Sequence, residues 1–476
     1  MRTQSALDTA LLASPAASRA TYIKFEVDRD GADTWVELSA WNGIDFVRSV
    51  TFGESFGASP MTFSAELSLH AQDRPAVSLS SLMANSLVNS GGVLCKLYQR
   101  VRISTSTVPD GDAAGTYNEV FLGRIDEWSI SGGTLRLSGR DETGRLLDRL
   151  VETETEYGDD DPAGASANEL QEIIQNILDD HFNTASDISG TASADRDTKL
   201  SGRTTDGSPV QLYSTTGDSA TPWKAADDTG WSLRRFLATK DTVWAWISRL
   251  AGMIGWKLRY RWHSGSGVDA FVLVLEEPDR TSPSSVITLD PTKGQCRIAS
   301  TGLKIQGIRN VWRVGYMLNG GEDQSETASD ATSITANGRR VAEAQEGSAS
   351  QVDTSTEAQA MADNLLSDTA TPVATVQVDV PYLWYLELND MVTLKADGIN
   401  FDSDQSLIVI GRSNTISQGG AAMTRLTLQG TLEKGRTRPA QRTYENPRRG
   451  PAYAFSLMAS GGGMLANSNF SDSGNE

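Results

Sequence analysis

The sequence predicts a mainly β fold with α+β insertions, in which two antiparallel β-barrel-like domains flank a small helix–hairpin domain. Three observations predict it. Apolar residues recur at every second position through 20–150 and again through 301–432, the period of strands with one buried face. The 43 glycines fall mostly in turn-like spots between apolar runs. At 476 residues the chain is longer than a single core supports, so several domains are expected.

Residues 1–19 read as an N-terminal arm: the apolar patch Ala10–Ala13 follows Asp8 and ends at Ser14-Pro15, too short for a signal peptide. In the first β domain, 20–150, Ile23, Phe25 and Val27 alternate with Lys24, Glu26 and Asp28, and Asp30-Gly31 is a hairpin signal. Phe46, Arg48, Val50 and Phe52 continue the period, with Arg48 as its polar exception. Phe63, Ala65, Leu67 and Leu69 keep it, as do Leu97, Gln99, Val101 and Ile103. Val120 to Ile130 then reverses at Gly132-Gly133 into Leu135 and Leu137.

Residues 151–235 form an acidic, helical insertion with a polar loop. Glu152, Glu154 and Glu156 share one face if extended, a row that faces a lumen, a partner or solvent. Charges along a strand edge also guard it against wrong pairing. Ser166 and Glu169 read as a capping box for a helix with Leu170, Ile173, Ile174, Ile177, Leu178 and Phe182 on one face. Residues 183–230 are polar and without period, and read as a surface insertion.

The small Trp-rich α+β domain, 236–300, opens with a helix that Thr239 or Asp241 caps and Gly255 ends. In the strand that follows, Trp256, Leu258, Tyr260 and Trp262 alternate with Lys257, Arg259, Arg261 and His263, which predicts a core-facing aromatic row with a solvated cationic back. The second β domain, 301–432, has strands around Leu303–Leu318, a polar loop from Asn319 to Asp353 and a short helix through Leu366 opened by a Thr354/Glu357 capping box. Further strands follow at Val373–Val380, Leu386–Leu394, Leu407–Ile410 and Arg425–Leu428. Residues 433–476 form a basic, flexible arm whose Lys434, Arg436, Arg438, Arg442, Arg448 and Arg449 reverse the local sign of the charge and are candidates for docking on an acidic neighbour.

Forty-two Lys and Arg against 61 Asp and Glu give a net charge of −19, which opposes tight contact with a phosphate backbone; such a charge keeps a large chain in solution first of all, and an acidic wall also lets DNA slide past without sticking. No apolar run reaches about 18 residues, so no membrane-spanning segment is expected. Cys95 and Cys296 lie far apart outside any Cys-x-x-Cys pair and read as buried thiols. Of the three histidines only His181, after Asp179 and Asp180, invites a metal, yet consecutive helical positions point about 100° apart and cannot converge on one ion. No nucleophile elbow, zinc helix or phosphate loop is present, so neither a catalytic residue, a metal nor a cofactor is assigned.

Two segments carry a resemblance. The first runs Phe121-Leu-Gly-Arg-Ile-Asp126, the Gly132-Gly133 hairpin, then Leu135-Arg-Leu-Ser-Gly139-Arg140-Asp141 and Leu146-Leu147-Asp148. The second runs from Asn364-Leu365-Leu366 through Val376–Val380 and Leu388-Asn389-Asp390-Met-Val392 to Val409-Ile-Gly411 and Thr424–Leu428. Together they resemble the tail-hub (baseplate hub) proteins of tailed bacteriophages and related injection machines, with Asn389 where glycine is usual. The resemblance implies a homotrimer of paired barrels in the virion tail tip, assembled in the bacterial cytoplasm. It would join a tail-tube or distal tail protein to a spike or central fibre, with a tape-measure protein as a further partner and non-specific passage of DNA. Gly139, Arg140, Asp141, Asp148, Leu388 and Asp390 would be structural motif residues in such a protein. A carbohydrate-binding adhesin or fibre component and a hydrolase using paired carboxylates remain as alternatives.

Overall fold

A computed structural model describes residues 19–431 with breaks, the longest at 69–92, 104–116, 159–168, 182–211 and 215–230; residues 1–18 and 432–476 lie outside it. Alternation in the sequence becomes strands wherever one face can be buried. The first β unit comprises β1 (Arg19–Asp28), β2 (Trp35–Glu37), the short pair β3 (Ala40–Trp41) and β4 (Ile44–Asp45), β5 (Val47–Ser55), β6 (Thr62–Ser68), β7 (Val93–Ile103), β8 (Asn118–Ser131) and β9 (Thr134–Asp141). A single-turn helix α1 (Gly144–Asp148) follows. The middle of the chain holds β10 (Thr155–Tyr157), α2 (Leu170–His181), β11 (Leu212–Ser214), β12 (Phe236–Ala238), α3 (Val243–Met253) and the hairpin β13 (Lys257–Gly265) and β14 (Val268–Glu276). Then come β15 (Ser285–Leu289), β16 (Arg297–Lys304), β17 (Val311–Met317), β18 (Asp323–Ser329), α4 (Ala331–Asn337), β19 (Val341–Ala344), α5 (Ser355–Thr369), β20 (Val373–Pro381), β21 (Met391–Leu394), β22 (Gln405–Ser417) and β23 (Ala422–Thr431).

The fold is mainly β, as the periodicity predicts, but among the described residues neither β unit closes on itself as a barrel. Instead the two units share one sheet with the path β16-β20-β23-β22-β5-β6-β9-β8-β7-β1-β2, in which β22 and β5 form the joint. Its core spans both units: Phe25, Phe63 and Phe121 pack in sequence, and Phe52 meets Tyr382 edge to face at 6.4 Å across the joint. Burying this apolar surface is the main drive for joining the two units.

The same strand pattern occurs twice. The hairpin β8–β9 has a bulge between Ile125 and Glu127, and β22–β23 has one between Val409 and Gly411. Before the bulge each long strand pairs with a rear strand, β7 in one case and β21 in the other. Beside β9 lies β6, which pairs with β5; beside β23 lies β20, which pairs with β16. Even the exposed charges match, since Arg136 pairs with Glu66 across β9 and β6, and Arg425 pairs with Asp379 across β23 and β20.

A second core collects α2, α3, the β13–β14 hairpin, β17 and α5. The predicted face of α2 is buried at Leu170, Ile173, Ile174, Ile177 and Leu178; Ser166 and Phe182 lie outside the described residues. Thr354 and Glu357 form the expected capping box, with α5 running three residues past Leu366. The cap of α3 is Thr242, whose hydroxyl accepts from the Ala245 N–H, rather than Thr239 or Asp241. Asp241 instead accepts from the Thr242 N–H. Gly255 takes the left-handed conformation (φ 73°) that ends this helix.

Three further expectations are corrected. Arg48 is no exception on the core face: a bulge between Val47 and Ser49 puts Val47 inside and leaves Arg48 exposed, donating to Thr134. The polar stretch 319–353 contains β18 and β19, which pair along β17, with α4 between them, and among the described residues these elements bury only Ala328 and Ser333 of their own side chains. Leu386–Leu394 is a strand only from Met391, because Asn389 adopts φ 73° and turns the chain.

Candidate functional site

The two motifs meet at the seam between the β units and the middle unit. Gly139 is required by close approach, for a Cβ there would meet the Arg124 carbonyl oxygen at 1.8 Å. Arg140 forks onto two carboxylates: it donates to Asp126 at 2.7 and 3.2 Å and to Asp148 at 3.0 and 2.7 Å. This ties hairpin β8–β9 to the end of α1, and the Asp148 and Asp126 carboxylates raise the guanidinium pKa further. Asp141 is buried. One of its oxygens accepts from the Met61 N–H at 2.9 Å, and the other from the Thr143 N–H at 3.0 Å and the Thr143 hydroxyl. Burial nonetheless pushes its carboxyl up to about 7, against the pull of those donors. Next to it Glu142, fully buried, lies 2.9 Å from Arg124 and 3.6 Å from Arg145. Neither Glu142 oxygen makes an aligned hydrogen bond, so these contacts are of charge rather than of directed bonding.

The second motif is a locked turn. The Asn389 N–H donates to Val409 O and the Val409 N–H donates to Asp390 O, both at 2.9 Å, which pins the turn to β22. Asp390 accepts from the Glu387 N–H at 2.7 Å, and burial pushes its carboxyl up to about 6. Asparagine tolerates the left-handed conformation better than other residues with a Cβ, which accounts for Asn389 in a place suited to glycine.

Around these motifs runs a buried ionic network that the sequence does not announce. Arg412 on β22 meets Glu54 on β5 at 2.5 Å and donates to the Leu386 carbonyl. Glu387 faces Arg261 at 3.5 Å and Arg259 at 3.9 Å. The cationic side of β13 is therefore not solvated as expected: Arg259 and Arg261 are 6% and 8% exposed. Its aromatic side supplies Tyr260 to the second core, so the strand is covered on both faces. A cavity of about 190 Å³ lies where the parts converge, lined among others by Glu54, Asp141, Thr143, Arg259, Tyr260 and Leu388. Its walls come from both β units, from α3 and from β13, as expected of a joint.

Glu152, Glu154 and Glu156 are exposed, and Glu156 pairs with Arg235 beside the β10–β12 ribbon. Lys434, Arg436, Arg438, Arg442, Arg448 and Arg449 lie outside the described residues. His181, at the end of α2, is buried, with Nε2 3.0 Å from the Tyr157 hydroxyl, and burial lowers its pKa. Among the described residues no three His, Cys, Asp or Glu side chains are grouped to hold a metal ion. No described helix is long and apolar enough to cross a membrane.

No protein-family model matches the chain, and no curated protein sequence matches it. Solved structures do. The tail protein from Neisseria meningitidis MC58 aligns over 87% of this chain and 97% of its own, at 16% identity and a TM-score of 0.48. The 43 kDa tail protein of prophage MuSo2 from Shewanella oneidensis aligns over 88% and 99%, at 13% identity and a TM-score of 0.46. Prophage tail protein gp18 from Listeria monocytogenes EGD-e aligns over 86% and 95%, at 9% identity and a TM-score of 0.44. Tail proteins, two of them from prophages, are thus among the solved structures to which this chain is similar.

Proposed function

We propose that the chain is a structural tail-hub protein that forms a trimeric ring joining a tail tube to a tip spike or fibre, with a conduit through which DNA passes. The duplicated strand pattern carries this reading. A chain holding two near-equivalent β units side by side gives a threefold assembly six similar units. It can then match a sixfold tube on one side and a threefold tip on the other. Arg140 ties hairpin β8–β9 to α1, and the turn at Asn389 is pinned to β22, so both motifs have a structural role, consistent with a protein that has no catalytic site of its own.

The exposed face of the shared sheet supports the conduit. It carries Ser64, Ser138, Thr427 and Gln429, with its charges held in pairs such as Arg136–Glu66 and Arg425–Asp379. Such a wall gives a polyanion few unpaired cations to hold, which complements the overall net charge of −19. The basic arm, with Lys434, Arg436, Arg438, Arg442, Arg448 and Arg449, docks in this reading on an acidic neighbour in the tail, and the exposed Glu152 and Glu154 are candidate partner-facing acids.

Light scattering on the purified chain tests the proposal. A mass of three 51.2 kDa chains is expected. A chain that stays monomeric at high concentration and binds glycan surfaces overturns it in favour of an adhesin.

A further inference from the structure

The outer face of the first β unit carries an array of cations and aromatic rings that the seam does not use. At one end of this face Leu94 and Leu122 are buried in the second core. Farther along it stand Lys96, Tyr98 and Arg100 of β7, Tyr22, Lys24 and Glu26 of β1, and Tyr117 and Glu119 at the head of β8. Lys96 Nζ lies 4.4 Å from the Trp35 ring centroid, and Lys24 Nζ lies 5.1 Å from that of Tyr98. Arg100 Cζ is 5.1 Å from the Tyr22 centroid and 5.3 Å from that of Tyr117. Strong cation–ring pairs occur about once per 70–80 residues, so four on one sheet face make a built surface rather than chance contacts.

Two of these cations are neutralised within the chain. Lys24 pairs with Glu26, and Lys96 lies 3.6 Å from Glu119. The Tyr98 hydroxyl bonds to both of those glutamates. Arg100 differs. Tyr22 stands directly opposite it on β1, and Tyr117 flanks it on the β8 side, next to the Gln99–Asn118 pair. Among the described residues Arg100 has no carboxylate partner, and its buried Nε has no acceptor. Its terminal N–H groups make no hydrogen bond to the described residues either, and they are not buried.

We infer that Arg100, flanked by Tyr22 and Tyr117, is the docking point for an aspartate or glutamate side chain of a partner protein. The rings fix the guanidinium, and its planar fork of N–H donors matches a carboxylate edge to edge. One open cation suits one carboxylate. A nucleic-acid backbone is held by several cations together, whereas Lys24 and Lys96 beside Arg100 are already neutralised. The site lies on a sheet face, where an acid presented by a protein also covers the neighbouring rings. Tyr, Trp and Arg are the residues that anchor such contacts. Here they are held in place by one another before binding, which leaves less ordering to oppose it. The partner segment therefore carries apolar residues beside its acid, to lie against Tyr22 and Tyr117.

Fluorescence anisotropy of a labelled peptide of alternating leucine and glutamate, titrated with the full chain at low salt, tests the inference. Saturable binding is expected, weakened about tenfold or more by Arg100→Gln, which removes the charged fork. Arg100→Lys keeps the charge but not the fork and should also weaken it, with an unchanged thermal melt. Tyr22→Leu should weaken it as well, and a peptide of alternating leucine and lysine should not bind. Peptide binding that is absent, or unchanged in both Arg100 variants, overturns the inference. So does competition by acetate at the peptide's own concentration, which would mark a site for free carboxylates. An oligothymidylate that binds more tightly than the peptide, and is lost in Arg100→Gln, overturns it in favour of nucleic acid. The hub reading does not depend on the outcome.

Discussion

Asp141 and Asp390 are buried carboxylates held mainly by backbone donors, and their titration gives the seam a pH dependence. An unfolded aspartate titrates near 3.9; in the fold Asp141 titrates at about 7 and Asp390 at about 6. Between those values the folded chain binds more protons than the unfolded one, so stability falls as pH rises. The contribution is fully present below about pH 4 and is lost as pH passes through about 6 to 7. Denaturation midpoints should therefore be higher at pH 5 than at pH 8 on account of these groups, and Asp141→Asn should flatten the slope. An unaltered slope in that variant would show that Asp141 is already ionised at pH 5. Gly139 is constrained by space rather than charge. Gly139→Ala should cost about 3 kcal/mol or more by denaturant unfolding, because the added methyl collides with backbone rather than with a side chain that can turn away.

Among the elements, the turn at 387–390 and the helix α5 show how local chemistry sets local geometry. Asn389→Gly should be neutral or slightly stabilising, and Asn389→Val should cost about 1–3 kcal/mol, since a β-branched residue resists φ 73°. Thr354→Ala removes the hydroxyl that receives the Glu357 N–H and should cost about 1 kcal/mol. Both are read from equilibrium unfolding. The capping box was legible because its two residues stand three apart and act on each other's backbone. The face of α2 was legible for the same reason, as five buried apolar residues repeat at helical spacing. The bulge at Arg48 was not, because an extra residue in a ladder is defined by its partner strand, and the sequence of β5 alone still alternates.

For the whole molecule the seam is the decisive feature. Arg412→Met leaves Glu54 buried without its cation, and should cost about 3–5 kcal/mol. Hydrogen exchange should then show the backbone of β5 and β22 opening before the rest of the sheet. Uniform opening would mean that apolar burial, with Phe52 against Tyr382, holds the joint without the ion pair. The sequence by itself determined the strand and helix periods, the hairpin at Gly132-Gly133, the Thr354/Glu357 capping box and the two short motifs. These are interactions among residues a few positions apart, where spacing alone dictates which side chains share a face. Only the tertiary structure decided that the two β units share one sheet and that Arg259 and Arg261 turn inward to Glu387. Those outcomes depend on which distant segments are brought together, and alternation fixes only that a strand has two faces, not what covers each of them.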